Sequence, residues 1–373
     1  MKPIGIFVHH QGRGHANRAS AIANRLIGER PVAMMSANFD HFPVLDDAIE
    51  RIVLPSLFEQ PDDAATWMAD AQTPDTLHCA PLGWPTIRRA IATITHWFDT
   101  ADPALFVTDV SAELGQLARI ASVPHVSVLQ HGTRSDAGHE AAYAAAVGLL
   151  APYHEALDQP DRLHLKNATR FFPGVGVDPI IGDRGEARAT LGVNPDRKLA
   201  VVLGGGGGEG FCTTPVTLAA RAFPDMDWVT LGKVRHEWHS TPPGNLDHRG
   251  WVDNVPTWLA AADLVVSTAG NSTVHQLLAL GKPWVVVPEW RYFDEQREKV
   301  AALGRARVAA ARDDWPSHVD GWRAAVAEAQ GVDPKRQRSL YDPDAASQAA
   351  RWLDRLGHEL WRTKADSDER KSA

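Results

Sequence analysis

Directly after the first apolar run of the chain stand His10-Gln11-Gly12-Arg13-Gly14-His15. Glycines at such a turn let a ligand approach the backbone closely. A helix starting here would aim free N–H groups and its positive dipole end at the same place. The two glycines alone say little: the third glycine of a dinucleotide fingerprint is missing, and no acidic residue ends the next apolar run to hold a ribose. NAD is therefore not favoured. His15 adds a titratable group at this edge, and imidazole is suited to take a proton from a hydroxyl near neutral pH. The bland alternative is that His15 only caps the helix or packs in a cleft. Asp109 ends another apolar run, Ala104–Thr108, and emerges on the same edge. It would either fix the tautomer of His15 and stabilise the imidazolium, or cap the helix that follows. Gln130 and His131 end the next run, as the lining of a second-substrate pocket or as plain rim residues.

A second set lies in the other half. Gly204–Gly208 follow an apolar run. Consecutive glycines are entropically costly, and close approach of phosphate is the usual reason for them; a flexible loop is the other. No Gly-Lys-Ser/Thr follows, which argues against ATP hydrolysis. After Leu264–Ser267, the stretch Gly270-Asn271-Ser272-Thr273 would offer hydroxyls, backbone N–H groups and a helix start to a diphosphate. Gln276 faces the same way one turn on. Asp294-Glu295-Gln296 open a further helix beyond Pro288 and are placed to bind sugar hydroxyls.

Bringing these groups to shared edges requires parallel strands joined by helices, and both halves have that rhythm. In the first, Ile4–Val8, Val32–Ser36, Ala104–Thr108 and His125–Leu129 read as strands. Helices are expected at His15–Leu26, Thr86–Phe98 and Ala112–Ala121, the last capped by Ser111. Residues 55–85, rich in Pro, Asp and Thr, read as an irregular excursion. In the second half, Lys198–Leu203, Asp227–Leu231, Leu264–Ser267, Trp284–Val287 and Arg307–Ala310 read as strands, with helices at Val255–Ala262, Ser272–Leu280 and Glu295–Leu303. The expected fold is α/β: two Rossmann-like parallel-sheet domains facing across a cleft. They would span 1–172 and 178–344, joined by a Pro/Gly hinge at 173–177. An amphipathic helix over 345–361 and a polar, disordered tail over 362–373 complete the chain.

Composition narrows the function classes. At 373 residues the chain exceeds one typical core, and 44% hydrophobic with 23% charged residues describes a soluble globular protein. A net charge of −8 argues against a general nucleic-acid binder, while a small anion held by backbone groups stays compatible with it. Cys79 and Cys212 form neither a CxxC pair nor a disulfide framework, which points to a reducing cytoplasm. No stretch approaches the roughly 20 apolar residues of a membrane span, and the N-terminal apolar run is too short for a signal peptide. The 13 tryptophans are dispersed, as core and cleft packing would have them. They leave peripheral contact with the inner face of a membrane open. No oligomeric state is implied.

Residues 250–303 resemble the donor-binding region of GT-B glycosyltransferases, most of all the MurG-like branch. The residues that carry this are Gly270-x-x-Thr273-x-x-Gln276, Gly281-x-Pro283, Pro288 and Asp294-x-Gln296. Trp251-Val252-Asp253-Asn254-Val255-Pro256 is similar to the stretch just upstream, where a backbone group at Val252 would pair with the donor base. Gly12-Arg13-Gly14-His15 is similar to the family's glycine loop ending in histidine, and Asp109 sits where some relatives place that histidine's partner. The resemblance implies a GT-B fold with an acceptor-binding first domain and a nucleotide-sugar-binding second domain. It implies inverting transfer of a sugar from a nucleotide-diphosphate sugar, a UDP-sugar, to a hydroxyl acceptor, with no metal and no other cofactor. His15 and Asp109 would then be catalytic. Gly14, Gly205, Gly206, Gly207, Val252, Gly270, Asn271, Ser272, Thr273, Gln276, Asp294, Glu295 and Gln296 would face the donor, and Gln130 and His131 the acceptor.

No Asp-x-Asp metal motif is read, which fits transfer without a metal: Asp46-Asp47 and Asp62-Asp63 are adjacent pairs away from any strand end. There are departures from the family. Gln276 stands where a glutamate usually grips the ribose hydroxyls, so ribose is held less tightly or His275 shares the task. The hinge also lacks the arginine that some relatives turn on the diphosphate. The same fold serves nucleotide-sugar hydrolases, in which His15 would activate water, and non-hydrolysing 2-epimerases, whose carboxylate-rich site is not found here. A non-catalytic nucleotide-sugar-binding protein is the alternative from another class.

Overall fold

The computed structural model describes residues 1–10, 12–63, 65–204, 210–236, 241 and 243–362. Seven strands build a first sheet: β1 (Ile4–Val8), β2 (Val32–Ser36), β3 (Glu50–Val53), β4 (Leu105–Asp109), β5 (His125–Val128), β6 (Gly148–Ala151) and β7 (Thr169–Phe171). Their order is β3-β2-β1-β4-β5-β6-β7, with every neighbouring pair parallel. The second half contributes β8 (Lys198–Leu203), β9 (Phe211–Cys212), β10 (Met226–Leu231), β11 (Val234–Arg235), β12 (Leu246–His248), β13 (Leu264–Ser267), β14 (Trp284–Val286) and β15 (Ala310–Ala311). Six of these form a parallel sheet in the order β12-β10-β8-β13-β14-β15, and β9 pairs with β11 apart from it. The expected pair of Rossmann-like sheets is what the chain adopts.

Both sheets change direction beside their first strand, between β1 and β4 and between β8 and β13. Loops leaving those strands diverge and open a crevice, the usual ligand position in such sheets. Strands β1, β2 and β4 are buried along their whole length. Helices cover both sheet faces, so these strands read as unbroken apolar runs.

One apolar core passes from Leu129, Leu149, Ala151 and Tyr153 into Val201, Trp258, Val265 and Leu303, so the halves meet through packed side chains. The crossover at 173–177 is equally packed. Gly174 and Gly176 have φ of 87° and 76°, and a Cβ on Gly176 would lie 2.4 Å from Cα of Arg18. The helix Ala345–Leu360 turns back onto the first half. Its Ala345, Ala349 and Leu353 join the core around β1, and Arg30 reaches Asp354 at 2.7 Å.

Several elements escape the sequence pattern. Strands β3, β6 and β7 are short and carry polar or small residues such as Glu50, Arg51 and Gly148, too few alternations to register. The helices Ala137–Ala145, Arg184–Leu191 and Val319–Gln330 are also additional. The last strand is Ala310–Ala311 instead of Arg307–Ala310, because the helix Glu295–Arg305 runs on and the chain reverses at a left-handed Arg307, φ 53°. Residues 363–373 of the expected tail lie outside the described residues. Among the described residues no helix is long and apolar enough to cross a membrane.

Candidate functional site

Strands β1 and β4 run in a register that sets Val8 beside Asp109. The chain leaving β1 turns at Gly12, φ 95°, a backbone that glycine adopts freely and other residues do not. It then enters the helix Arg13–Leu26, which carries His15 over the end of β4. The chain leaving β4 turns at Val110, φ 67°, a conformation that β-branched residues rarely take. Ser111 next caps the helix Ala112–Ile120, accepting the Leu114 N–H at 3.2 Å. Asp109 is thereby released from capping, and its Oδ1 lies 3.0 Å from Nδ1 of His15.

Arg18, on the same helix, secures this carboxylate. Its Nε donates to Oδ2 of Asp109 at 3.0 Å, and its Nη2 lies 2.7 Å from both oxygens. Burial alone would raise the Asp109 pKa; the charges and hydrogen bonds of Arg18 and His15 outweigh it and hold the carboxyl well below its usual range. A fixed negative charge beside Nδ1 draws the imidazole proton to that nitrogen and leaves the lone pair on Nε2. Nη2 of Arg18 and Nε2 of Gln130 also approach Nδ1, at 3.2 and 3.4 Å, but Nη2 is already directed at Asp109.

A cavity of about 160 Å³ opens at this point, between the halves. Gly12, Gly14, His15 and Arg18 form one wall, Gln130, His131, Pro152 and Tyr153 another, and Asn271, Glu295 and Lys299 a third. No atom lies within 4 Å of where a Gly14 Cβ would be, so its missing side chain keeps the cavity open. Gln130 is part-exposed beside His15. His131 is buried: its Nε2–H donates to the Leu157 carbonyl at 2.8 Å, and its ring packs on Tyr153. Burial and the nearby Lys299 pull its pKa well down, so it stays neutral.

On the opposite side the helix Asn271–Leu280 begins at Gly270, and no side chain caps it. The first-turn N–H groups of Asn271, Ser272 and Thr273 are therefore not spent on a cap. Ser272, Thr273 and Gln276 are part-exposed along one helix face, and Val252 is half-buried. His275 does not join them. It is buried and donates from Nδ1 to the Asn271 carbonyl at 2.9 Å, so it turns into the core and away from any ribose.

Asp294, Glu295 and Gln296 have three different surroundings. Asp294 is exposed on a left-handed turn, φ 51°. Glu295 lines the cavity, with Nζ of Lys299 3.3 Å from its carboxylate. Burial would raise its pKa, but Lys299, Arg134 and His15 hold it below the usual value, so it is ionised. Gln296 is buried, and its side-chain oxygen accepts the N–H groups of Ala269 and Glu289, each at 2.9 Å. That oxygen ties the end of β13 to the end of β14 and is not free for a sugar hydroxyl. Gly205, Gly206 and Gly207 lie outside the described residues.

Arg18, Arg134 and Lys299 are charged groups of this region that the sequence pattern did not single out. For Arg18 a signal existed: residues three apart on a helix share a face, and His15 and Arg18 are so spaced. Two Asp-x-Asp spacings do occur among the described residues, Asp225–Asp227 and Asp342–Asp344. The first begins β10 at the end away from the cleft, where Asp227 meets Arg197 at 2.7 Å. The second leads into the C-terminal helix, where Asp344 pairs with Arg351. Larger hollows of about 520 and 580 Å³ lie beside Arg307 and beside Lys2. Both are at the N-terminal ends of strands, opposite the crevices.

Residues 234–314 match the glycosyltransferase family 28 C-terminal domain. The UDP-N-acetylglucosamine–N-acetylmuramyl-(pentapeptide) pyrophosphoryl-undecaprenol N-acetylglucosamine transferase of Tropheryma whipplei is 30% identical over 204 residues, covering 44% of this chain and 54% of that one. The chain spans about half the length of the curated relatives it matches. Among solved structures, MurG of Acinetobacter baumannii superposes with a TM-score of 0.59 at 14% identity, covering 95% of this chain and 100% of that one. The glycotransferase of kitacinnamycin gives 0.59 at 18% identity, covering 100% and 98%. At these identities the superpositions speak for the fold, GT-B.

Proposed function

Because the chain carries a glycosyltransferase family 28 C-terminal domain on a GT-B fold, we propose that it is a glycosyltransferase moving a sugar from a UDP-sugar to a hydroxyl acceptor, with inversion and without a metal. The observation that carries this is the pairing of His15 with Asp109 at 3.0 Å in a cavity whose far wall is Asn271 and Glu295 of the donor-like half. Residues 1–172 would bind the acceptor and 178–344 the donor.

In this reading Nε2 of His15 takes the proton of the acceptor hydroxyl as its oxygen bonds to the anomeric carbon. The bond from that carbon to the diphosphate oxygen breaks on the opposite face, and the nucleoside diphosphate leaves with the electron pair. Asp109, kept ionised by Arg18, stabilises the imidazolium. The uncapped helix start at Gly270–Thr273 meets the departing charge with N–H groups already in place, and Glu295 accepts hydrogen bonds from sugar hydroxyls.

A thermal-shift panel of UDP, dTDP and GDP with their sugars tests the donor side. One nucleoside diphosphate should raise the melting temperature, and no response to any of them would remove the donor site. Following free sugar over time tests the reaction class. Slow release without acceptor is expected, whereas rapid release would identify a hydrolase with His15 activating water.

A further inference from the structure

Phe293 and Asp294 are consecutive non-glycine residues with left-handed backbones, φ 63° and 51°. Such a conformation persists only where the surroundings impose it. For Phe293 the surroundings are the first half of the chain. Its carbonyl accepts the Thr133 N–H at 2.7 Å. Its ring lies 4.4 Å from the guanidinium of Arg134, and the imidazoles of His78 and His139 stand 5.1 and 5.6 Å from it. Gly132 permits this approach: a Cβ there would come within 2.7 Å of the Phe293 carbonyl oxygen and 3.3 Å of Cα of Glu295.

The seat is itself braced. Asp136 accepts from His139 Nδ1 at 2.6 Å and from the His139 N–H at 3.1 Å, capping the helix Ala137–Ala145. His78, Asp136 and His139 are close enough together to hold a cation. However, the Asp136 oxygens are already engaged, and Arg134 lies 3.3 Å from Nε2 of His139. That guanidinium and the helix N-terminus both oppose a cation, whereas an aromatic face suits the guanidinium.

The docking joins two cavity-lining stretches. Gly132–Arg134 directly follow Gln130 and His131, and Phe293–Asp294 directly precede Glu295. We propose that Phe293 is a positioning residue whose seat on Arg134, His78 and His139 sets Glu295 at the cavity, so that the sugar of a nucleotide sugar is engaged only when the halves are docked. This rests on the donor reading above. Glu295 has the chemistry for it, since an ionised carboxylate makes stronger hydrogen bonds to hydroxyls than a neutral group does.

The test is calorimetric titration of UDP and of UDP-N-acetylglucosamine into the wild type, Phe293→Ala and Phe293→Tyr. UDP affinity should stay within twofold in all three. Phe293→Ala should bind the sugar nucleotide at least tenfold more weakly than the wild type, and Phe293→Tyr, which keeps the ring, should recover most of that loss. A purely structural role would weaken both ligands in proportion, and that result, or wild-type affinity in Phe293→Ala, would overturn the inference. Failure of the wild type to bind either ligand would instead overturn the donor reading, and the inference with it.

Discussion

Arg18 grips Asp109 through two nitrogens, with Nη2 2.7 Å from both carboxylate oxygens and Nε 3.0 Å from one. Both side chains are almost wholly out of water, at 4% and 2% exposure. The pair belongs to no single element: a helix from the first crossover supplies the cation and the end of β4 the anion. The packed linker at Gly176 presses on the backbone of Arg18 from outside. His15 is therefore offered a carboxylate whose charge and orientation are already set.

Removing the cation should be costly. Arg18→Leu leaves Asp109 buried without its main partner, and breaking such a pair destabilises by about 3–5 kcal/mol. Urea unfolding at neutral pH measures this, and a loss below about 1 kcal/mol would mean that the pair is not desolvated as the structure has it.

His15→Ala should lower turnover by a factor on the order of 10²–10⁴, the usual contribution of a general base, while UDP affinity is retained. Asp109→Asn should also slow turnover strongly, because an amide donor facing Nδ1 favours the tautomer with its proton on Nε2. Wild-type rates in His15→Ala would move the base elsewhere.

Acid should destabilise the fold through its buried imidazoles. Burial lowers the pKa of His125 to about 3 and that of His275 to about 4, from 6.5. Below pH 6.5 the unfolded chain takes up protons at these sites and the folded chain does not. Stability is thus fully present above 6.5 and falls as pH drops toward 4, on the order of 1.4 kcal/mol per pH unit for each group. Unfolding midpoints at pH 7, 5.5 and 4.5 check the slope; a flat series would mean that these imidazoles are hydrated.

Gln296→Leu should destabilise by about 1–3 kcal/mol for each N–H it orphans, those of Ala269 and Glu289. Gln296→Glu keeps the acceptor and should lose less. Chemical denaturation of the two variants separates this tie from a role in sugar binding, which would lower sugar-nucleotide affinity while leaving stability unchanged.

Much of the site was legible because its signals are local. Gly12 marks the turn, with a φ of 95° that glycine adopts freely, and an apolar run such as Ala104–Thr108 places the residue after it at a sheet edge. The parallel register of β1 and β4 then makes the meeting of His15 and Asp109 a geometric consequence of the fold class. Short edge strands such as Glu50–Val53 were not legible, because four residues carry too little alternation and their pairing energy comes from a neighbour distant in sequence.

On its own, then, the sequence determined two α/β halves, the glycine turn after the first strand, the helix start after Gly270 and the candidate base. Each of these depends on backbone freedom or on hydrophobic period within a few residues. Tertiary structure decided the rest. It put Arg18 against Asp109, turned His275 and the Gln296 oxygen inward, and seated Phe293 on the other half. The partners of Arg18 and Phe293 are chosen by how elements distant in sequence pack together, and no local pattern records that choice.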